Sequence, residues 1–390
     1  MFTACNSPVS EQGEAEEAAA SETNTGAATA LVYVGTYAEP DQESIWLYRL
    51  NTETGALEKV LAVKGGENPS YLALDEERRY LYAVNETGNY EGKNSGAVSA
   101  FAIDQPSGNL TLLNKVSSQG GAPCHISLGG PEKKTVLVAN YMGGNVAAFP
   151  MQEDGKLGEA AQVHQHKGTG PNKERQEAPH AHYIATAPDG RYAFAVDLGT
   201  DQVLGYRLDD QPGGLVPNEP AVAFAVKPGA GPRHMVFHPG GRYAFVINEL
   251  NSTMTALAYN SDKGTFTEVQ TISTLPADFK GENSCAAVKV SADGKFLYGS
   301  NRGHNSIVVY SIDEGTGKLA LVQHQNSGGD WPRDFTLDLT GNVLLVAHQR
   351  SDNIVSFKVN KTTGRLTPAG HEVAVAKPVC LQVVPAFAGR

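Results

Sequence analysis

The chain has 390 residues and a formal charge of -11, with 19% charged residues, 42 Gly, 21 Pro, 15 Tyr and 13 Phe. The charge argues against a nucleic-acid surface, though it leaves room for a local basic pocket. No apolar run reaches the roughly 18 residues needed to span a bilayer as a helix, and the composition is that of a turn-rich all-β protein.

In chain order, residues 1–29 differ in kind from the rest. Phe2-Thr3-Ala4-Cys5, then a Ser, Glu, Ala and Thr-rich stretch, resembles the end of a bacterial lipoprotein signal, with Cys5 the lipidated residue and the stretch after it a disordered tether. This reading takes the chain to begin near a cleavage site, because the apolar segment and basic flank of such a signal are not in the sequence. It implies the bacterial cell envelope or periplasm, with membrane contact only through the lipid; a chance tail on a cytoplasmic protein is the alternative.

Residues 30–390 read as one domain. Leu31–Tyr37, Ser44–Leu50 and Leu57–Val63 are strand-like, and a phrase then returns about every fifty residues: Pro, an apolar stretch, a turn, a second apolar stretch and a polar cluster. It begins at Asn68, Ala122, Ala178, Gly231, Asn283 and Trp331, and a truncated copy starts at Lys377. Seven units of roughly 51 residues each suit a four-stranded antiparallel sheet, so the expected fold is an all-β, seven-bladed β-propeller. The seventh blade is split: Lys377–Val384 supplies one strand and the three N-terminal strands supply the others, which closes the ring and removes exposed edges.

In the fourth unit Arg233–Phe237 is the first strand, His238–Gly241 the turn, Arg242–Asn248 the second strand, and Thr253–Tyr259 and Phe266–Ile272 the third and fourth. Folding about that turn returns Arg233 and Glu249 to one edge; the same construction pairs His182 with Asp197 and Arg333 with Gln349. First strands line the axis of a propeller, so these residues are expected at one mouth of the channel. The residue after the recurrent Pro, or in its phase, is Ser70, Cys124, His180, Arg233, Cys285, Arg333 or Val379; taken with the ends of the second strands, which add Glu249, Arg302 and His348, blades three to six depart from small or apolar character.

His180 and His182, two apart on a strand, share a face. The pair could bind a metal with His125, His234 or His348, could be satisfied structural histidines, or could contact substrate. No carboxylate has ligand spacing and three arginines nearby oppose a cation, so no metal is expected. Arg233, Arg302 and Arg333 suit an anionic ligand, or each pairs with an acid such as Glu249, Asp334 or Asp330. Glu249 among them should be ionised and could orient a water or accept its proton. The insert Gln165–Ala178, with Lys167, Lys173 and Arg175, is longer than a blade connection needs and reads as a lid or substrate contact. Of the four cysteines, Cys124, Cys285 and Cys380 fall near the start of a first strand, where small buried thiols are expected; Cys5 belongs to the tail.

Val32–Tyr37, Asn68–Leu72, Val138–Tyr141, Pro179–His182, Gly231–His234, Asn248–Leu250 and Ser300–Gly303 together resemble the seven-bladed propeller lactonases, the family of propeller-type 6-phosphogluconolactonase and carboxy-muconate lactonising enzyme. The resemblance covers about residues 31–386. It implies cofactor-independent chemistry on a sugar-derived or anionic lactone, with His182, Arg233, Glu249 and Arg302 catalytic. His180, Arg333, His125, His234 and His348 are expected to contact substrate. A muconate-type cyclase or isomerase and a non-catalytic binding propeller remain alternatives.

Overall fold

The computed structural model describes residues 1–2 and 29–387; Cys5 and the proposed tether lie outside them, apart from the ends. The described chain forms seven four-stranded antiparallel sheets arranged as a ring, each sheet one blade. Apart from a short 3-10 turn at Pro131–Lys133, it contains no helix.

Blade four shows how the sequence builds each unit. Its strands run Pro232–Phe237, Tyr243–Asn248, Thr253–Asn260 and Thr265–Ser273. The second strand, YAFVIN, is buried at every position because neighbouring blades cover both its faces. The outer strand is only partly covered and carries the exposed residues. The first turn closes on Gly241, whose φ of 69° is a left-handed value that a glycine adopts without steric cost; Gly190, Gly294 and Gly341 fill the same place elsewhere.

The core is distributed rather than central. Seven apolar clusters form, one between each adjacent pair of blades. Tyrosines near the start of the buried strands tie one blade to a turn of the next: Tyr33, Tyr82, Tyr243 and Tyr298 donate to the carbonyls of Gly108, Gly155, Gly315 and Gly364.

Blade seven closes the ring as the sequence suggests. Pro378–Pro385 pairs along Thr29–Thr36, which pairs with Ile45–Asn51 and then Leu57–Val63. Cys380 and Leu381 of the C-terminal strand enter the clusters on its two sides.

Candidate active site

The innermost strands carry a β-bulge near one end, and the bulge positions the site. Pairing with the second strand skips a residue between Pro123 and His125, Ala181 and Tyr183, Pro232 and His234, and Pro332 and Asp334. The skipped residues are Cys124, His182, Arg233 and Arg333. A bulged residue has no ladder partner and its strand bends, which re-aims the side chain. Cys124, Arg233 and Arg333 meet in this way around a small axial cavity with Ser70, Glu86 and Asp334. In blade three the bulge falls at His182, two residues later relative to the proline than in blade four, so His180 precedes its strand instead of starting it.

Glu249 is the centre of the mouth. It follows the second strand of blade four, its N–H donates to the carbonyl of Gly231, and its side chain is 5% exposed. Oε2 accepts from Arg302 Nη2 at 2.7 Å and lies 3.1 Å from Arg233 Nε; Oε1 accepts from Arg175 Nη2 at 2.7 Å. Burial alone would raise the carboxyl pKa, but the charges of Arg302, Arg233 and Arg175 overcome it and hold the group well below the usual range. Arg233, buried and beside Arg302 and Arg333, is pushed down to about 10 and remains a cation at neutral pH. Both buried guanidiniums are further fixed by carbonyls, Arg233 by Ala286 and Arg302 by Ser284 and Cys285.

His182 is buried, with Nδ1 3.6 Å from Cys124 Sγ and its ring edge-on to Tyr141. Burial and then the charge of Arg233 push its pKa well below the ordinary value, so the imidazole is neutral. Burial pushes the Cys124 thiol up, which makes it a poor nucleophile. His180 stacks on Tyr141 at 4.5 Å, and its ring nitrogens face the Tyr141 carbonyl at 3.0 Å and Glu177 at 3.1 Å. It therefore braces the insert against blade two. Arg333 donates to Tyr37 Oη at 2.8 Å; Tyr37 and Ser70 in turn donate to Glu86.

Two expected mouth residues lie elsewhere and a third spans both ends. His125 lies below the mouth in the channel and lines a separate cavity at the opposite mouth with Lys289 and Gln382. His234 lines that cavity and the axial one, its ring 5.3 Å from that of His182 and its Nε2 3.2 Å from Arg233 Nη1. Each follows its bulge and so belongs to the regular pleat lower on the strand. His348 ends the second strand of blade six, fully buried, with neither ring nitrogen hydrogen-bonded among the described residues. That position is structural in other blades: Asn140 and Asn301 donate from it to the carbonyls of Ser118 and Thr274. The mouth is lined by the next residue along, as with Glu86 and Glu249. Among the described residues no group of three or more His, Cys, Asp or Glu is placed to hold a metal ion.

Outside Glu249 a cavity of about 750 Å³ opens at the same mouth, lined by Asn172, Arg175, Asn251, Asn283, Arg302, Trp331 and Arg350 among others. The Arg350 guanidinium lies 3.4 Å from the Trp331 ring centroid, and Trp331 itself has a φ of 67°, a costly left-handed value for an indole residue. Arg350 and Trp331 had no site role in the sequence reading. Glu86 did not either, although it occupies the phase of Glu249 in blade one and could have been found that way.

Fold and site together define a β-propeller with an arginine–carboxylate centre at one mouth and an open cavity above it. The chain belongs to the lactonase family of seven-bladed β-propellers, whose model matches residues 31–383. It is 42% identical to the 6-phosphogluconolactonase of Bacillus subtilis over 351 residues, 90% of this chain and 97% of that protein. Among solved structures it is similar to a Bacteroides fragilis protein provisionally described as a 6-phosphogluconolactonase, with a TM-score of 0.86, 35% identity, and coverage of 93% of this chain and all of that one. It is also similar to the periplasmic gluconolactonase of Pseudomonas aeruginosa, with a TM-score of 0.85, 33% identity, and coverage of 91% and 99%.

Proposed function

We propose that this protein is a lactone hydrolase resembling 6-phosphogluconolactonase, opening a sugar-derived lactone with water at the Glu249 mouth. The observation that carries the reading is the buried set of Arg233, Arg302 and Glu249 beside a neutral His182, in a chain whose relatives are named for this activity. Between the two candidate bases, His182 is the better. A carboxylate gripped by three guanidiniums has little basicity left, whereas a neutral imidazole can accept a proton. In this scheme His182 takes a proton from water as the hydroxide adds to the lactone carbonyl. Arg233 and Arg302 stabilise the oxyanion. Collapse breaks the ring C–O bond, and the imidazolium returns its proton to the leaving alkoxide. The product is an open-chain hydroxy acid, which ionises in water. Glu249 holds the two guanidiniums in place.

The test is hydrolysis of glucono-δ-lactone and its 6-phosphate by the wild type and by His182→Ala, Arg233→Ala and Glu249→Gln. The wild type should exceed spontaneous opening, and loss of one oxyanion donor should cost about 10²–10³-fold in kcat. A wild-type rate no faster than the spontaneous one on both lactones would sink the proposal.

The lipobox-like Phe2–Cys5 and a relative described as periplasmic support placement in the cell envelope. Metabolic labelling with a palmitate analogue, compared between the wild type and Cys5→Ala, tests it; an unlabelled wild type refutes the anchor.

A further inference from the structure

The connection from the strand Gln162–Gln165 to the strand Ala181–Thr186 is built to present one side chain. Asn172 Oδ1 accepts from the N–H groups of Glu174 and Arg175, and the Asn172 carbonyl accepts from Gln176 N–H, forming a tight turn. Gln176 is fully buried and its Nε2 donates to the carbonyl of Leu198, which pins the turn to blade three. Arg175, next to that anchor, reaches across to blade four.

There it differs from the other guanidiniums around Glu249. Its side chain is 38% exposed, against 3% for Arg233 and 5% for Arg302. Among the described residues no backbone carbonyl fixes it; its partners there are Glu249 Oε1 at 2.7 Å and Tyr141 Oη at 3.3 Å. It covers the one carboxylate oxygen that Arg233 and Arg302 leave free. It also forms part of the wall of the 750 Å³ cavity, with Arg302 and Arg350. Arg350 has no acidic partner among the described residues, and the rim acids Glu174 and Glu282 are exposed and pair with none of these arginines.

Resting on the lactonase reading, we propose that Arg175 is a specificity-determining residue that leaves Glu249 for an anionic group on the incoming lactone. An anion entering the cavity competes with Glu249 for this exposed guanidinium, while Arg233 and Arg302 stay bound to Oε2. The transfer uncovers Oε1, which then accepts a hydrogen bond from the attacking water or from a sugar hydroxyl. A neutral lactone has no charge with which to draw Arg175 away. Binding of a charged substrate and exposure of the carboxylate are thus one event, and the enzyme prefers lactones bearing a phosphate or a carboxylate.

The experiment compares the wild type, Arg175→Met and Arg175→Lys on three lactones: uncharged glucono-δ-lactone, its 6-phosphate, and muconolactone, which carries a free carboxylate. Arg175→Met keeps the apolar stem and removes the charge. A charge-assisted contact corresponds to about 10–100-fold in binding. The wild-type preference in kcat/KM for the charged lactone over the neutral one should fall by that factor in Arg175→Met, mainly through KM, with Arg175→Lys in between. Whichever charged lactone shows the fall identifies phosphate or carboxylate as the group recognised. An unchanged ratio, or a wild type that opens only the neutral lactone, overturns the inference and leaves the lactonase reading standing. A wild type that opens none of the three overturns both.

Discussion

Replacing Glu249 by Gln keeps the shape of the side chain and removes the charge that neutralises the mouth. Arg233 and Arg302 would remain, 3% and 5% exposed, each facing an amide that carries no charge. Removing one partner of a buried ion pair costs about 3–5 kcal/mol, because the remaining charge stays desolvated. Arg175 is part-exposed and screened by solvent, so it adds little to that figure. Unfolding entropy of about 2.1 cal/mol/K per residue over roughly 350 residues converts this cost into a fall of about 4–7 °C in Tm. The assay is thermal unfolding followed by circular dichroism at pH 7. The sign of the pH dependence follows from the depressed carboxyl pKa. Its stabilisation is fully present above the unfolded value of 4.5 and is lost as pH falls through the lower folded value. The gap between wild type and Glu249→Gln should therefore narrow on acidification below pH 4.5. A Tm within about 1 °C of the wild type at pH 7 would refute the claim that Glu249 compensates buried charge, since even the low end of that cost predicts several degrees.

If His182 is the base, its burial and the neighbouring Arg233 place the acid limb of kcat/KM well below pH 6.5, and the residual activity of Arg233→Met should show that limb moved upward. A wild-type limb at or above 6.5 would contradict the assignment. Truncation after Val375 removes the strand Pro378–Pro385 and leaves Thr29–Thr36 as an open edge, so the shortened chain should aggregate and lose its cooperative melt. A soluble monomer melting like the full chain, by size-exclusion chromatography and circular dichroism, would show that ring closure contributes little.

The ring was legible because two independent periodicities agree: alternation within strands and the fifty-residue phrase between them. Leu57–Val63 matches its expected bounds, and Thr253–Asn260 extends one residue past them. The site was harder to read because a bulge adds one residue to one strand without changing composition. Counting from the proline placed His180 level with Arg233, whereas the ladder puts His182 there. The second strands pair with the third in continuous register, and there the terminal residue turns into the blade while the next one lines the mouth, which is why His348 lies away from it. Arg175 illustrates a different limit. The length of its insert marked a loop over the mouth, but which of Lys167, Lys173 and Arg175 reaches Glu249 depends on how Gln176 is buried, and no local pattern encodes that.

The split blade also sets a clock on folding. Thr29–Thr36 is among the first strands made and Pro378–Pro385 the last, so roughly 340 residues of synthesis separate the two partners, or about 20–70 s at 5–20 residues per second. Throughout that interval TALVYVGT, seven of whose eight residues are buried in the finished ring, has one ladder edge unmet. The other six blades are each contiguous in sequence and can form as they emerge. The cell must therefore keep an apolar edge from finding another chain until the final residues arrive, and any pause in translation near the end prolongs the exposure of the segment most prone to aggregate.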